Sequence, residues 1–300
     1  MAAQLRALRS RIRSVKSTAK ITRAQELIAA ARISGAQQRL AAAKPYADQV
    51  TRAVSALISH HVGIRHPLLD ERPDARRAAV LIMTSDRGFC GAYNQHALKE
   101  GGAVARMLRE RGSEPRFYLT GQKAIENFRF NEREAEAVWG GISGQPPFEA
   151  AADIGGRLLD AFTRPADEGG VGEVHVVYTE FVSMLSQRVA VRRILPLEIR
   201  EAAAGEAAGA PPSYEFEPIP ELVLDGLLRQ YVNGRIWRML LDSAASEWAA
   251  RRSAMMSATD NANELVQRLT REANEARQDE ITMELTEIVA GANALTSAPE

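Results

Sequence analysis

Cys90 and His96 are the first residues to weigh as chemistry. A thiol with an imidazole in reach can act as a nucleophile with its base. Their spacing does not by itself bring them together, and free cysteine is among the most buried residue types, so the plainer reading is a small apolar side chain. The run Thr84-Ser85-Asp86-Arg87-Gly88-Phe89-Cys90-Gly91 closes an apolar stretch. Doubly wound sheets hold ligands at that end of their strands. The run is neither G-x-G-x-x-G nor G-x-x-x-x-G-K-S/T, so the phosphate-cradling amides and lysine are missing and no cofactor is expected. Asp86 and Arg87 either pair with each other or reach a partner. His60, His61, His66, His96 and His175 are scattered and match no zinc spacing. His60 and His61 read as a solvated helix end. With Cys90 as the one cysteine, no intrachain disulfide can form, which points to a reducing compartment.

The scaffold around these residues reads as α/β. Ala78 to Met83 is a short apolar run ending in a turn-forming loop, the pattern of a buried strand. Tyr93 to Arg111 reads as a helix, Arg116 to Leu119 as a strand ended by Gly121, and Gln122 onward as a helix. A short strand is expected at Ala137 to Trp139, a helix at Phe148 to Phe162, and strands at Gly172 to Val182 and Val189 to Leu197. Alternating strands and helices argue for an open, mostly parallel, Rossmann-like sheet. Ala202 to Pro212 is rich in Ala, Gly and Pro and reads as a loop.

Two long helices flank this domain. Leu5, Leu8, Ile12, Val15, Ala19 and Thr22 fall on a seven-residue lattice that continues through Ala29, Ile33, Ala36, Leu40, Ala43, Ala47, Val50, Val54 and Leu57, with Glu26 off pattern. A sustained heptad imposes a left-handed supercoil and calls for a partner helix. Leu227, Gly234, Leu241, Trp248, Met255, Ala262, Leu269 and Ala276 form a second lattice. The first helix is expected from Gln4 to His60, with Pro45 on its outer face. A helix from Leu222 to Ala294 would span about 110 Å at the usual rise. The expected division is an N-terminal coiled-coil helix at 1–62, an α/β domain at 75–200, a loop at 201–220 and a C-terminal coiled-coil helix at 221–296.

Formal net charge is zero, which argues against nucleic acid as a partner. Charge is unevenly placed: Arg6, Arg9, Arg11, Arg13, Lys16, Lys20 and Arg23 precede the first acid, whereas only acids lie beyond Arg277. This is either a pair of solvated faces or two collars aimed at different partners. No run of about 18 apolar residues exists to span a membrane. The Arg-rich, acid-poor start has the composition of a transit peptide, but a removable peptide is not expected to share a heptad lattice with the mature protein. Taken alone, these features fit a shaft, a non-rotary coiled-coil adaptor, or a small doubly wound enzyme with helical extensions.

Five blocks narrow this. Ile12-Arg13-Ser14-Val15-Lys16-Ser17-Thr18-Ala19-Lys20-Ile21-Thr22-Arg23-Ala24 resembles the opening helix of the gamma subunits of F-type ATP synthases. Lys44-Pro45-Tyr46, Thr84 to Asn94, Ala258-Thr259-Asp260-Asn261 and Ala276 to Ala292 resemble further blocks of that family, in the same order. The resemblance implies a central-stalk rotor without a catalytic site of its own. Its terminal helices would form an antiparallel coiled coil inside a ring of alpha and beta subunits. Its α/β foot would sit beside the epsilon subunit and the membrane c-ring, peripheral to the cytoplasmic face of a bacterial membrane. By the same carry-over, Arg277 and Gln278 meet a beta-subunit loop, with Thr282, Glu284 and Glu287 nearby. Lys20, Thr22, Arg23 and Gln25 lie on a coupling stretch, and Asp86, Arg87 and Cys90 approach a beta subunit near the base. Gln25 departs from the methionine many relatives carry there. No cysteine pair is present for chloroplast-type thiol switching.

Overall fold

Steps of three and four residues between apolar positions wind each end of the chain into one helix, and runs apolar on both faces build the sheet between them. The computed structural model describes residues 2–60, 66–197 and 220–296. The elements are α1 (Ala2–His60), β1 (Arg77–Met83), α2 (Tyr93–Glu110), β2 (Glu114–Thr120), α3 (Gln122–Phe130), β3 (Ala137–Trp139), α4 (Phe148–Thr163), β4 (Glu173–Phe181), β5 (Gln187–Leu195) and α5 (Pro220–Thr296). The expected strands and helices are all present. The last strand starts and ends two residues earlier than its apolar pattern suggested (187 and 195 against 189 and 197). The loop expected at 202–212, and His61, lie outside the described residues.

The chain divides into two compact units, residues 1–28 with 252–300, and residues 29–251. In the first, α1 buries Leu5 and Ala19, and α5 buries Met255, Thr259, Ala262, Leu269 and Ala273. Leu5, Ala19, Met255, Ala262 and Leu269 lie on the two seven-residue lattices, with Leu8, Ile12, Val15 and Thr22 of the first half-buried, while Thr259 and Ala273 lie four residues beyond lattice positions 255 and 269. The Thr22 and Thr259 hydroxyls meet at 2.7 Å. Glu26, off the apolar pattern, is nonetheless only 6% exposed, and its carboxylate takes a 2.7 Å bond from Arg23. From Arg277 to Ala290 no residue of α5 is buried, and Ile281, Met283, Leu285, Ile288 and Val289 are exposed.

In the second unit the strand order is β3-β2-β1-β4-β5. β1 pairs in parallel with β2 and β4, β2 with β3, and β5 returns antiparallel to β4. Successive strand residues point to opposite faces. Ala78, Val80 and Ile82 therefore pack with Ala97, Val104 and Leu108 of α2 and Phe128 of α3. Ala79, Leu81 and Met83 pack with Ile154, Leu158 and Phe162 of α4 and with Leu224, Leu228, Val232 and Ile236 of α5. That double burial is why β1 reads as an unbroken apolar run.

Here α1 and α5 run antiparallel. Ala29, Ile33 and Ala36 cluster with Ala245, Trp248 and Ala249. Further on, Tyr46 donates to Gln230 at 3.0 Å, and Val54 and Leu57 join the core that holds Leu224 and Leu228. Pro45 lies inside α1 and is exposed, and the helix continues past it to His60. A proline facing water gives up one backbone bond without opening a core.

Candidate functional site

The loops after β1, β2 and β3 converge on one carboxylate. Asp86 Oδ1 accepts from the backbone N–H of Gln122 at 3.0 Å and of Gly141 at 2.7 Å, and Oδ2 accepts from Ser143 at 2.8 Å. Its own N–H donates to Ser143 Oγ at 2.9 Å. The sequence left Asp86 either to pair with Arg87 or to reach a partner, and within the chain it makes no ion pair with Arg87. Its oxygens are engaged in stitching three loops together. Arg87 is exposed and has no ion-pair partner among the described residues.

Cys90 is 2% exposed. Its sulfur takes a bond from Asn94 Nδ2 at 3.2 Å and lies 3.6 Å from Ser85 Oγ. Burial pushes the thiol above its ordinary pKa, the reverse of what activates a nucleophile. His96 is exposed, and the thiol contacts run to Ser85 and Asn94 instead. Phe89, one residue earlier, is 81% exposed and stands at φ 61. A bulky residue in the left-handed region costs on the order of 1–3 kcal/mol and persists only where its surroundings dictate it.

In a doubly wound sheet the ligand crevice opens where the strand order reverses, here between β1 and β4. In this chain α5 occupies it. Tyr93 donates to the Ser243 carbonyl at 3.1 Å, Ser246 donates to the Thr179 carbonyl at 3.1 Å, and the Thr179 N–H donates to Ser243 Oγ at 3.3 Å. One turn on, Arg251 Nη1 meets Glu247 Oε1 at 2.7 Å, and Arg251 Nη2 reaches the carbonyls of Arg87 at 3.0 Å and Gly88 at 3.2 Å. Burial pushes the Glu247 carboxyl up, while the guanidinium beside it pulls it down. Asp242, on the same stretch, is pushed up to about 6 by burial, with Arg238 3.9 Å away opposing the shift. The place where such a sheet would admit a nucleotide is filled by hydrogen-bonded side chains of the chain itself. Among the described residues, no cluster of three or more His, Cys, Asp or Glu side chains could hold a metal ion.

The other expected contact residues lie on the two long helices of the first unit. Lys20, Arg23 and Gln25 are exposed on α1 and Thr22 is half-buried. Arg277, Gln278, Thr282, Glu284 and Glu287 are exposed on α5. Thr22 faces Thr259, and Arg277 lies 18 residues further along α5 (277 − 259), about 27 Å at 1.5 Å per residue. These are two patches rather than one site. Sequence reasoning did not single out Phe89, Ser243, Ser246, Glu247 or Arg251. Only the i,i+4 spacing of Glu247 and Arg251 offered a signal.

The comparisons with known proteins bear on the whole length. The family model described as ATP synthase matches residues 4–295. The ATP synthase gamma chain of Acidothermus cellulolyticus is 54% identical over 297 residues, covering 99% of this chain and 99% of its own. That of Parafrankia sp. (strain EAN1pec) is 51% identical over 297 residues with the same coverage. The chain belongs to the ATP synthase gamma chain family. The family's fold is seen in a Euglena gracilis mitochondrial ATP synthase solved by cryo-electron microscopy, which matches with a TM-score of 0.69 at 16% identity, covering 100% of this chain and 98% of that one. A central stalk and c-ring structure from Tetrahymena thermophila matches with a TM-score of 0.56 at 21% identity, covering 79% of this chain and 99% of that one. No described helix of this gamma chain family member is long and apolar enough to cross a membrane.

Proposed function

We propose that this chain is the central-stalk rotor of a proton-translocating ATP synthase, and that it has no catalytic site of its own. The observation that carries the reading is the end-to-end match to gamma chains, which takes in both long helices as well as the sheet. The partners are the alpha, beta and epsilon subunits and the c-ring. The complex holds the chain at the cytoplasmic face of a bacterial membrane. We take 1–62 and 221–296 as the shaft, 75–200 as the foot and 201–220 as their connection.

Proton flow turns the c-ring and the foot with it. The foot turns α5 because α5 is seated in the sheet through Ser243, Ser246 and Arg251, bonds that leave little room to slip. Turning presents different shaft faces to each beta subunit. A conformational equilibrium shifts only through such differential contact, so the shaft has no bond to make or break. Arg277 and Gln278, with Thr282, Glu284 and Glu287, are wet in the free chain and suit polar contacts made and released during rotation. Arginine stays charged throughout and can hold a carboxylate through two parallel bonds. Lys20, Thr22, Arg23 and Gln25 form the second contact stretch. Near the base, Arg87 offers the outward charge, while Asp86 and Cys90 shape the loop that carries it.

Co-purification of the tagged chain with alpha, beta and epsilon subunits, and then a disulfide lock between the foot and the stationary ring, test the assignment. The lock should stop proton-coupled synthesis and reduction should restore it. Synthesis that continues with the lock fully formed would end the rotor reading.

A further inference from the structure

The strained tip after β1 is held from α5. Phe89 stands at φ 61 with its ring in solvent. On one side of the tip, Ser85 Oγ donates to the Arg87 carbonyl at 2.7 Å. On the other, Arg251 Nη2 donates to that carbonyl at 3.0 Å and to the Gly88 carbonyl at 3.2 Å. Glu247 fixes the remaining corner of the guanidinium at 2.7 Å, and both side chains are buried. The guanidinium lies 4.8 Å from the Trp248 ring centroid, and the Trp248 indole donates to the Gly144 carbonyl at 3.1 Å. One planar cation thus serves a carboxylate and two loop carbonyls together. An ammonium group lacks the fork that does this.

We propose that Arg251 is a positioning residue that fixes the Arg87–Phe89 tip to α5, so that tip and helix turn together under load. This rests on the rotor reading. The tip offers an exposed guanidinium next to an exposed aromatic ring, which suits a carboxylate bordered by apolar surface on a stationary partner. If the tip could swing on its own, torque passing between α5 and the foot in either direction would be lost in bending the loop.

Cys90 adjoins Phe89, is buried, and is the only cysteine, so its reactivity reports whether the tip is closed. The labelling rate of Cys90 by DTNB is measured on the full-length native chain, on Arg251→Lys, and on the double variant Glu247→Leu with Arg251→Met. The double variant replaces the pair by apolar side chains and orphans no charge. Each chain is then assembled with its partner subunits, and protons pumped per ATP hydrolysed are counted. Both variants should keep their helix content, label at least about tenfold faster through local opening, and pump fewer protons per ATP. Labelling within twofold of the native rate in a folded variant removes Arg251 as the holder. Faster labelling with unchanged proton yield removes the coupling role. Should Arg251→Lys fail to fold, the double variant decides by the same criteria. A native chain that neither assembles nor couples counts against the rotor reading, while the labelling comparison still judges Arg251.

Discussion

Thr22 and Thr259 face each other across the helix seam with their hydroxyl oxygens 2.7 Å apart. Each hydroxyl also reaches a carbonyl of its own helix, Thr22 that of Ala19 at 3.1 Å and Thr259 that of Met255 at 2.9 Å, so one of the two shares its proton between its helix and the other hydroxyl. The Thr22–Thr259 contact is a polar point in a seam otherwise lined by apolar side chains such as Leu5, Met255 and Leu269, and so favours one register of the two helices. Removing one partner of a buried bond costs more than removing both. Thr22→Val or Thr259→Val alone should therefore lower stability by roughly 1 kcal/mol, and the double variant by less than the sum. A denaturation cycle in which the two losses simply add would mean that the hydroxyls do not interact.

Glu26 occupies a seam position without an apolar side chain. Its Arg23 partner is mostly exposed, so the pair is screened and contributes little. Glu26→Leu should raise the thermal stability of the isolated chain by an amount on the order of 1–2 kcal/mol. A lower melting temperature would show that the carboxylate has a structural partner the pair with Arg23 does not account for.

Asp242 gives the fold a pH dependence opposite to that of a salt-bridged acid. Its pKa is raised from 3.8 in the unfolded chain to about 6 by burial. The folded state therefore binds more protons between those values, and stability falls as pH rises from 4 through 6. The shift is worth about 3 kcal/mol at most. Asp242→Asn should stabilise the chain at pH 7.5 and change little at pH 4. Equal effects at both pH values would place the titration elsewhere.

Gly121 ends β2 at φ 88, and a Cβ there would collide with the Thr84 carbonyl. That carbonyl belongs to the backbone and cannot swing aside. Gly121→Ala should cost more than about 3 kcal/mol, from left-handed strain and overlap together. Expression of a soluble Gly121→Ala chain with native melting would contradict the tight approach of these loops.

On the helix tip, Arg277→Ala with Gln278→Ala should cut turnover of the assembled complex by about tenfold, equivalent to 1.4 kcal/mol on the barrier. The melting of the isolated chain should not change, since both side chains are exposed. Lost turnover accompanied by an unfolded shaft would move these residues from contact to structure.

The helices were legible because their information is periodic and local. Leu5, Ala19, Ile33, Leu57, Leu241 and Leu269 were placed by spacing alone, and all are buried. Glu26 shows the limit: a lattice of apolar letters marks it as a break, whereas its position inside the seam comes from the helix running on. β1 was legible from its unbroken apolar run, but the strand order was not, since each pairing joins residues far apart in the chain. The crevice was the least legible part. Ser243, Ser246 and Arg251 act on Thr179, Arg87 and Gly88, separations of 64 to 164 residues, and no local pattern encodes them. Asp86 was noticed for its charge, but its work is done through three backbone amides that carry no letter in a sequence.

The last turns of α5 have a bearing on the life of the chain before it reaches its place. Ile281, Leu285 and Ile288 meet water in the free polypeptide. Exposed apolar side chains are what chaperones and proteases sample, so an orphan copy advertises its own incompleteness at its far end. Synthesis in excess of the other subunits should then be corrected by degradation beginning from that end, and supply would match demand without a dedicated regulator. Pulse-labelled orphan chain that outlives the assembled form would show that some other feature conceals it.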